Sequence, residues 1–354
     1  MSRPLNHYCT YFDSGYLAQG VALWQSLRRH DANAILWVLA LDKTAERALR
    51  NFGDEALRVI TLDQLLQSDP ELRARQHRPR EQFIFTLTPC WVRHVLTARS
   101  EIHRLVYLDS DLYFFSSAAP IWSELQKGSV LITPHWYPKW HEDAPRYGTF
   151  NVGVVGFRRD EDAQACLEWW RQRCLESTEL AADGTRFGDQ KYLDEWPRRF
   201  EGVVVCDHRG INVAPWNWAG FVFEVSSRAP VGVEGVPLVV FHFAQFRRIA
   251  GRWFDSGQLE YGVMPRRLRS RLYGEYWSAL LEAEMMIRKV WPQFAIKSRG
   301  WLAVLKPWHL GLLRWVWGEF WWRGQNNWYA GRAGLGRFSG RVISLWRRWE
   351  RCHE

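Results

Sequence analysis

The first 250 residues predict an α/β domain built on a mainly parallel sheet. Short apolar runs of strand length recur along them, segments with apolar residues at helical spacing stand between the runs, and a hydrophobic share of 47% in 354 residues is enough to bury a core. "HYCTYFD" (7–13) opens the chain as a strand, followed by a helix in which Leu17, Val21, Trp24 and Leu27 recur at helical spacing. "AILWVLALD" (34–42) reads as a buried strand, "TAERALRNF" as a short helix and "LRVITL" (57–62) as a third strand. "QFIFTLTPCWVRHVLTAR" reads as a helix feeding "RLVYLDSDLYFF", which reads as one strand. "SVLITP" (129–134), "FNVGVVGFRR" (150–159), "GVVVCDH" (202–208) and "PLVVFHF" (237–243) supply further strands, and "DAQACLEWWRQRCLES" is a helix among them.

Near residue 250 the rhythm changes. The expected organisation is one domain over 1–250 and a helical, basic, Trp-rich extension over 251–354. "RLRSRLYGEYWSALLEAEMMIRKVW" predicts one long helix ended by Pro292; "GWLAVLKPWHLGLLRWVWGEFWWRG" predicts one or two amphipathic helices broken at Pro307, and "NNWYAGRAGLGRFSG" a loop. The net charge of +9 is concentrated there: residues 297–354 carry eleven Lys and Arg against three Glu, a net of +8, leaving +1 for the first 296. Nine Trp are interleaved with these cations. Such a surface suits anionic membrane headgroups or single-stranded nucleic acid. The membrane surface is the expected partner and no nucleic acid is expected; a nucleic-acid-binding protein, or a scaffold of the same fold without catalysis, are the alternatives.

Six cysteines, Cys9, Cys90, Cys166, Cys174, Cys206 and Cys352, are scattered without a paired spacing, so neither a structural zinc site nor a disulfide framework is expected. The N-terminus shows no charged-then-apolar leader, and no apolar run reaches the ~18 residues of a membrane span. A cytoplasmic protein, peripheral at the inner face of the cytoplasmic membrane, is expected.

The chemistry centres on "LVYLDSDLYFF" (105–115), where Asp109 and Asp111 stand one residue apart in an apolar run. Burying unpaired carboxylates is unfavourable. Read as a strand, the segment puts both side chains on one side, and two close carboxylates repel unless a cation lies between them. Hard divalent ions such as Mg²⁺ and Mn²⁺ prefer such oxygen ligands, and strand ends are where open α/β sheets bind ligands. The plain alternative is a turn in which the two carboxylates face solvent or cap backbone amides.

Five motifs in order, "CTYFD…YLAQGVALWQSLRRH", "YLDSDLYFF", "NVGVVGFRRD", "FGDQKYLDEWP" and "NVAPWN", spread over residues 7 to 248, resemble nucleotide-sugar glycosyltransferases of the GT-A fold. The chain is similar to the retaining family 8 enzymes and to related bacterial proteins. The resemblance implies an α/β fold with a Rossmann-like mixed sheet and transfer of a sugar, expected from a UDP-sugar, to a saccharide or lipid-linked acceptor with retention and metal assistance. It implies Mn²⁺ or Mg²⁺ held by Asp109 and Asp111 of the DXD motif and by the late His242. Asp109 is implied to face ribose and metal, and Asp111 metal and diphosphate.

The resemblance further places nucleotide-sugar contacts at Thr10, Tyr11, Asp13 and Tyr16, at Asp109 and Ser110, and at Asn151 and Gly153. Ser14 and Gly15 depart from the more acidic loop usual in the family, which leaves the base open. Asp189 and Gln190 are the implied catalytic pair beside the reacting sugar carbon. Locally, Asp13 or Ser14 are also suited to cap the first helix, and Asp189 to cap the helix that starts at "GDQKYLDEW". Arg93 and Arg247, or its neighbour Arg248, are candidate cations for the diphosphate, and Trp216 for stacking on a sugar face.

Overall fold

The computed structural model describes residues 5–141, 144–180, 186–226, 229–250, 253–257 and 261–298, together with the backbone of 320–323 and 328–330. The chain runs from β1 (Asn6–Phe12) through α1 (Leu17–His30), β2 (Ala34–Ala40), α2 (Lys43–Arg50) and β3 (Leu57–Thr61) to the short α3 (Leu62–Ser68) and α4 (Pro70–Arg73) and the long α5 (Arg80–Ala98). Helix starts follow local chemistry. The Asp42 carboxylate accepts the Ala45 N–H at 2.7 Å at the head of α2, and Thr61 with Gln64 forms a reciprocal capping box on α3. Then come β4 (Arg104–Leu108), β5 (Leu112–Phe114), α6 (Ala119–Leu125), β6 (Val130–Pro134), β7 (Phe150–Arg158), α7 (Glu161–Glu176), α8 (Trp196–Arg199) and β8 (Val203–Val205).

Seven of these strands form one sheet in the order β3-β2-β1-β4-β7-β6-β8. The β3-β2-β1-β4 half is parallel, β7 is antiparallel to both β4 and β6, and β8 is parallel to β6. The α/β class is observed, with a mixed sheet. Apolar layers cover both faces, which is why β2, β4 and β7 read as nearly unbroken apolar runs. On β1, Tyr8 enters one layer with Leu17, Val21 and Trp122; the next residue, Cys9, enters the other with Leu87, Trp91 and Trp170. The five described cysteines are free and buried.

The "RLVYLDSDLYFF" segment is not one strand. After Leu108 the chain leaves the main sheet through a turn, closed by the Leu112 N–H donating to the Asp109 carbonyl at 3.2 Å. β5 then pairs with β12 (Val240–His242) in a separate antiparallel ribbon, with His242 opposite Leu112. "PLVVFHF" is likewise split: its first residue ends β11 (Val236–Pro237), which with β9 (Phe223–Glu224) and β10 (Gly232–Val233) makes a three-stranded sheet.

Strands continue past residue 250, where the sequence shows no alternation. β13 (Arg247–Ala250) and β14 (Trp253–Asp255) form a hairpin, and β15 (Phe320–Arg323) and β16 (Trp328–Ala330) extend it. The helix expected through "GEFWWRG" and the loop expected at "NNWYA" are thus strands at these positions. Pairing with β14 overrides the helical expectation for this stretch, whose aromatic residues suit a strand equally. The expected helices over 301–319 and the membrane-facing tail lie outside the described residues. The long helix is observed as α9 (Arg266–Val290); its Leu272, Tyr276, Trp277 and Leu280 lie in the same apolar layer as Leu17 and Val21 of α1. Among the described residues, no helix is long and apolar enough to cross a membrane.

Candidate active site

The C-terminal ends of β1 and β4 lie side by side, and the loops leaving them carry Asp13 on one side and Asp109 and Asp111 on the other. The turn at 109–111 sets the two carboxylates. The Asp109 N–H donates to the Gly153 carbonyl at 3.0 Å, tying the turn to β7, and the Asp111 carbonyl accepts the Phe243 N–H at 2.9 Å, tying it to the residue after β12. His242 is thereby brought to both: its Nε2 is 3.1 Å from Asp111 Oδ1 and 3.7 Å from Asp109 Oδ2. One ligand atom from each of Asp109, Asp111 and His242 lies within 4.8 Å of the other two. The expected juxtaposition is present, produced by a turn and a cross-strand pair and not by strand alternation.

The three groups shift one another. Burial pushes the Asp109 carboxyl up, with Asp111 adding to it and His242 only partly offsetting it. Burial would raise Asp111, but the attraction of His242, its hydrogen bond and a backbone hydrogen bond together hold the carboxyl below the usual carboxylate range. His242 is raised: burial alone would lower it, but the two carboxylates prevail. Two oxygens and one imidazole nitrogen, held close by an acid–imidazole contact, are the donor set a hard or borderline divalent ion takes. The other ring nitrogen, Nδ1, is buried without a hydrogen-bond partner among the described residues. Tyr107, whose hydroxyl donates to Asp109 Oδ1 at 2.8 Å, orients that carboxylate from below.

A polar cage surrounds the next residues. The Asn151 amide donates to Gln190 Oε1 and faces His135 Nε2, both at 3.3 Å, while its Oδ1 accepts the Gly153 N–H at 2.8 Å and Asn212 Nδ2 at 2.9 Å. Gly153 is required: a Cβ there would lie 2.7 Å from Asn151 Oδ1 and 2.8 Å from His242 Nδ1. Gln190 Nε2 donates to the Tyr147 carbonyl at 2.8 Å. Asp189 does not cap the helical turn after it, which begins at Gln190 without a side-chain cap; its Oδ2 accepts the Thr88 hydroxyl at 2.6 Å. Burial raises the Asp189 carboxyl to about 7 against the pull of that hydrogen bond. Tyr11 bonds the same Thr88 at 2.9 Å, so β1, α5 and the 188–190 loop meet at one threonine.

The remaining expected residues divide. Thr10 is fully buried on β1, its hydroxyl without a partner among the described residues. Asp13 Oδ1 accepts the Gly15 N–H at 2.8 Å and its other oxygen pairs with Arg80, while Tyr16 stands at the N-cap of α1, which has no side-chain cap. Asp13 therefore shapes its own loop instead of capping the helix. Tyr16 is 51% exposed at the mouth of this loop. Ser110 sits at the apex of the 109–111 turn. Arg93 is elsewhere, pairing with Glu168 across α5 and α7 at 2.8 Å. Arg247 Nε donates to the Gln245 carbonyl at 3.0 Å, and Arg248 pairs with Glu284 of α9 at 3.1 Å. Trp216 stands edge-on to His242, ring centroids 5.1 Å apart.

Sequence reasoning did not single out Thr88, Tyr107, His135, Asn212, Arg80 or Lys297. Lys297 arrives from beyond α9: a Cβ built on Gly15 would lie 3.5 Å from its Nζ. A usable signal existed for Thr88, one of two threonines, with Thr86, among the apolar buried residues of α5, whereas Lys297 carries no local mark.

No family model matches the chain. It is 30% identical over 250 residues to the uncharacterized protein YfnF of Bacillus subtilis (strain 168), covering 69% of this chain and 82% of that one. To the uncharacterized protein YfnD of the same organism it is 30% identical over 254 residues, 70% of this chain and 80% of that one. Among solved structures it is similar to the galactosyltransferase LgtC in complex with donor and acceptor sugar analogs, at 15% identity, 77% of this chain, 95% of that chain and a TM-score of 0.47. It is similar also to the glycosyltransferase GlyE of Streptococcus pneumoniae TIGR4, at 16% identity, 84% and 66% coverage and a TM-score of 0.46. The chain belongs to the family of YfnF and YfnD.

Proposed function

We propose that the chain is a GT-A glycosyltransferase that moves a sugar from a nucleoside diphosphate donor, a UDP-sugar, to a saccharide or lipid-linked acceptor with retention. The observation that carries this reading is the Asp109–Asp111–His242 group at the ends of β1 and β4, next to Asn151, Asp189 and Gln190. A phosphate-bearing donor needs positive charge, and this site presents a carboxylate-rich floor. A divalent ion reconciles the two. Asp109, Asp111 and His242 would hold Mn²⁺ or Mg²⁺, which when bound supplies charge neutralisation for the diphosphate and for its departure.

The chain's own groups would do the rest. Tyr16, exposed beside the β1 loop, offers a face for the base, and Asp13 an acceptor for ribose or base hydrogens. Asn151, Asp189 and Gln190 surround the place where the sugar would lie, with Gly153 leaving room at their centre. Gln190 is an amide and a poor nucleophile, so the reading favours attack of the acceptor hydroxyl on the donor face from which the phosphate leaves, the departing oxygen taking up the acceptor's proton.

The test is a thermal-shift screen of nucleotide sugars with and without Mn²⁺, on the natural chain and on Asp111→Asn. A donor raises the melting temperature only with the ion, and the variant loses that shift while its own unliganded melting curve stays cooperative. Full metal-dependent stabilisation in the variant would end the reading.

A further inference from the structure

Asn151, buried on β7, has every hydrogen-bonding position of its side chain taken. The oxygen accepts the Gly153 N–H at 2.8 Å and Asn212 Nδ2 at 2.9 Å, and the nitrogen faces Gln190 Oε1 and His135 Nε2, each at 3.3 Å. An asparagine side chain offers two acceptor and two donor positions, so none is left for a ligand. The orientation of the amide is also forced. The Gly153 N–H can only donate, which holds the oxygen on its side and turns the nitrogen toward His135 and Gln190. His135 Nε2 must then accept. Burial lowers the His135 imidazole to about 3, so the ring is neutral and its one proton sits on Nδ1. That atom has no hydrogen-bond partner among the described residues, and the Gly148 and Thr149 backbone favours a proton on the ring. Gln190 is fixed from both ends, its oxygen facing the Asn151 donor and its nitrogen donating to the Tyr147 carbonyl at 2.8 Å. Reversed, it would set nitrogen against nitrogen and oxygen against oxygen.

Asn212 backs this arrangement. It is fully buried, sits at a left-handed φ of 61° that asparagine tolerates better than most residues, and donates from the same Nδ2 to Thr133 Oγ1 at 2.9 Å. The next residue meets the metal-ligand candidate: the Val213 carbonyl accepts the His242 N–H at 2.7 Å. Asn217 ties the loop to His135, donating to its carbonyl at 2.9 Å and accepting the Ala214 N–H at 2.8 Å. We propose that Asn151 is not a sugar contact but the hub of an amide clamp, in which Asn212 and His135 are positioning residues that act through Asn151 to fix the Gln190 amide. The inference rests on the glycosyltransferase reading only for what Gln190 faces. Gln190, partly exposed, keeps one amide hydrogen and one oxygen lone pair beyond its two bonds, and the clamp sets where each of them points. A donor sugar beside it meets one hydrogen-bond donor and one acceptor at defined positions.

The full chain, labelled with ¹⁵N-histidine, reports the clamp through nitrogen chemical shifts, pyrrole-type for a protonated ring nitrogen and pyridine-type for a bare one. The His135 signals are those lost in His135→Gln. In the natural chain His135 Nδ1 is pyrrole-type and Nε2 pyridine-type. Asn151→Asp keeps an oxygen for Gly153 and Asn212 but puts a second oxygen where the donor stood, so Nε2 gains the proton. A natural chain protonated on Nε2, or an Nε2 that stays bare in Asn151→Asp, overturns the clamp; the first reading needs no variant to fold. Function is read as Mn²⁺-dependent hydrolysis of whichever nucleotide sugar gives the largest melting shift in the screen above. Asn212→Gly suits the positive φ and removes only the side chain, which no donor can touch. It lowers kcat at least tenfold, with KM and the UDP affinity read by calorimetry within about threefold of the natural chain. An unchanged kcat overturns the positioning role and leaves the donor reading standing. A chain with the expected nitrogen pattern that hydrolyses no nucleotide sugar supports the clamp and overturns the donor reading instead.

Discussion

Asp189 offers a quantitative test, because its carboxyl is buried at 6% exposure and raised from 3.8 to about 7. Burial is the leading cause, and Asp109 adds repulsion, while the Thr88 hydrogen bond and a backbone donor pull the other way. In the folded chain the acid keeps its proton up to about pH 7; in the unfolded chain it loses it near pH 4. Between these values the native state binds one more proton than the unfolded state, so stability falls as pH rises. The fall is about 1.4 kcal/mol per pH unit, or about 4 kcal/mol across the window, a large fraction of a typical domain's 5–15 kcal/mol. Below about pH 4 this contribution is complete, and above about pH 7 it is lost.

Asp189→Asn removes the ionisation and keeps an oxygen that accepts from Thr88. Urea unfolding of the natural chain and the variant from pH 4 to pH 8 should give equal stabilities at the acid end. The variant should then gain progressively, levelling at about 4 kcal/mol above pH 7. Taking the difference cancels the opposing titrations of Asp111 and His242. A difference that stays flat with pH would refute the raised carboxyl and the dry pocket inferred from it.

Two further outcomes follow from the same pocket. Gly153→Ala drives a methyl to within 3.0 Å of Asn151, His242 and Asn212, so it should destabilise the fold by about 1–3 kcal/mol and lower Mn²⁺ affinity at least tenfold by calorimetry; native Mn²⁺ binding would contradict the tight cage. Lys297→Ala should weaken UDP binding roughly tenfold and flatten its salt dependence, since a lysine beside the Asp13–Gly15 loop is placed to meet a phosphate, and unchanged affinity would show that the ammonium stands outside the pocket.

The parts of the fold that were legible in the sequence are those governed by local pattern. β1, α1, β2, α2, α5, β6, β7 and α7 follow from apolar runs and helical spacing, because each element buries its own apolar face. The β13–β16 strands were hidden for a physical reason. Arg247, Arg248, Trp253 and Trp321 have no alternation of their own, and their strand state comes from pairing, within the β13–β14 and β15–β16 hairpins and, across a long separation, between β14 and β15. The cations divide in the same way. Arg93 is close to Asp109 in sequence, but α5 turns it toward Glu168, while Lys297 is far away in sequence and returns to the first loop.

The Asp109–Asp111 pair shows why a correct assignment can rest on an incomplete geometric reason. Period-two alternation on a continuous strand would aim both carboxylates one way, yet the backbone turns between them and enters a second sheet. What aims them is two anchors from other elements, the Gly153 carbonyl on β7 and the Phe243 N–H after β12, and a third from β4 itself, the Tyr107 hydroxyl two residues before Asp109. A turn held at three points leaves the two carboxylates partly exposed, while "LVYL" divides between the two apolar layers and "LYFF" packs into one of them. The break in the strand is therefore what turns a pair of costly buried charges into a site.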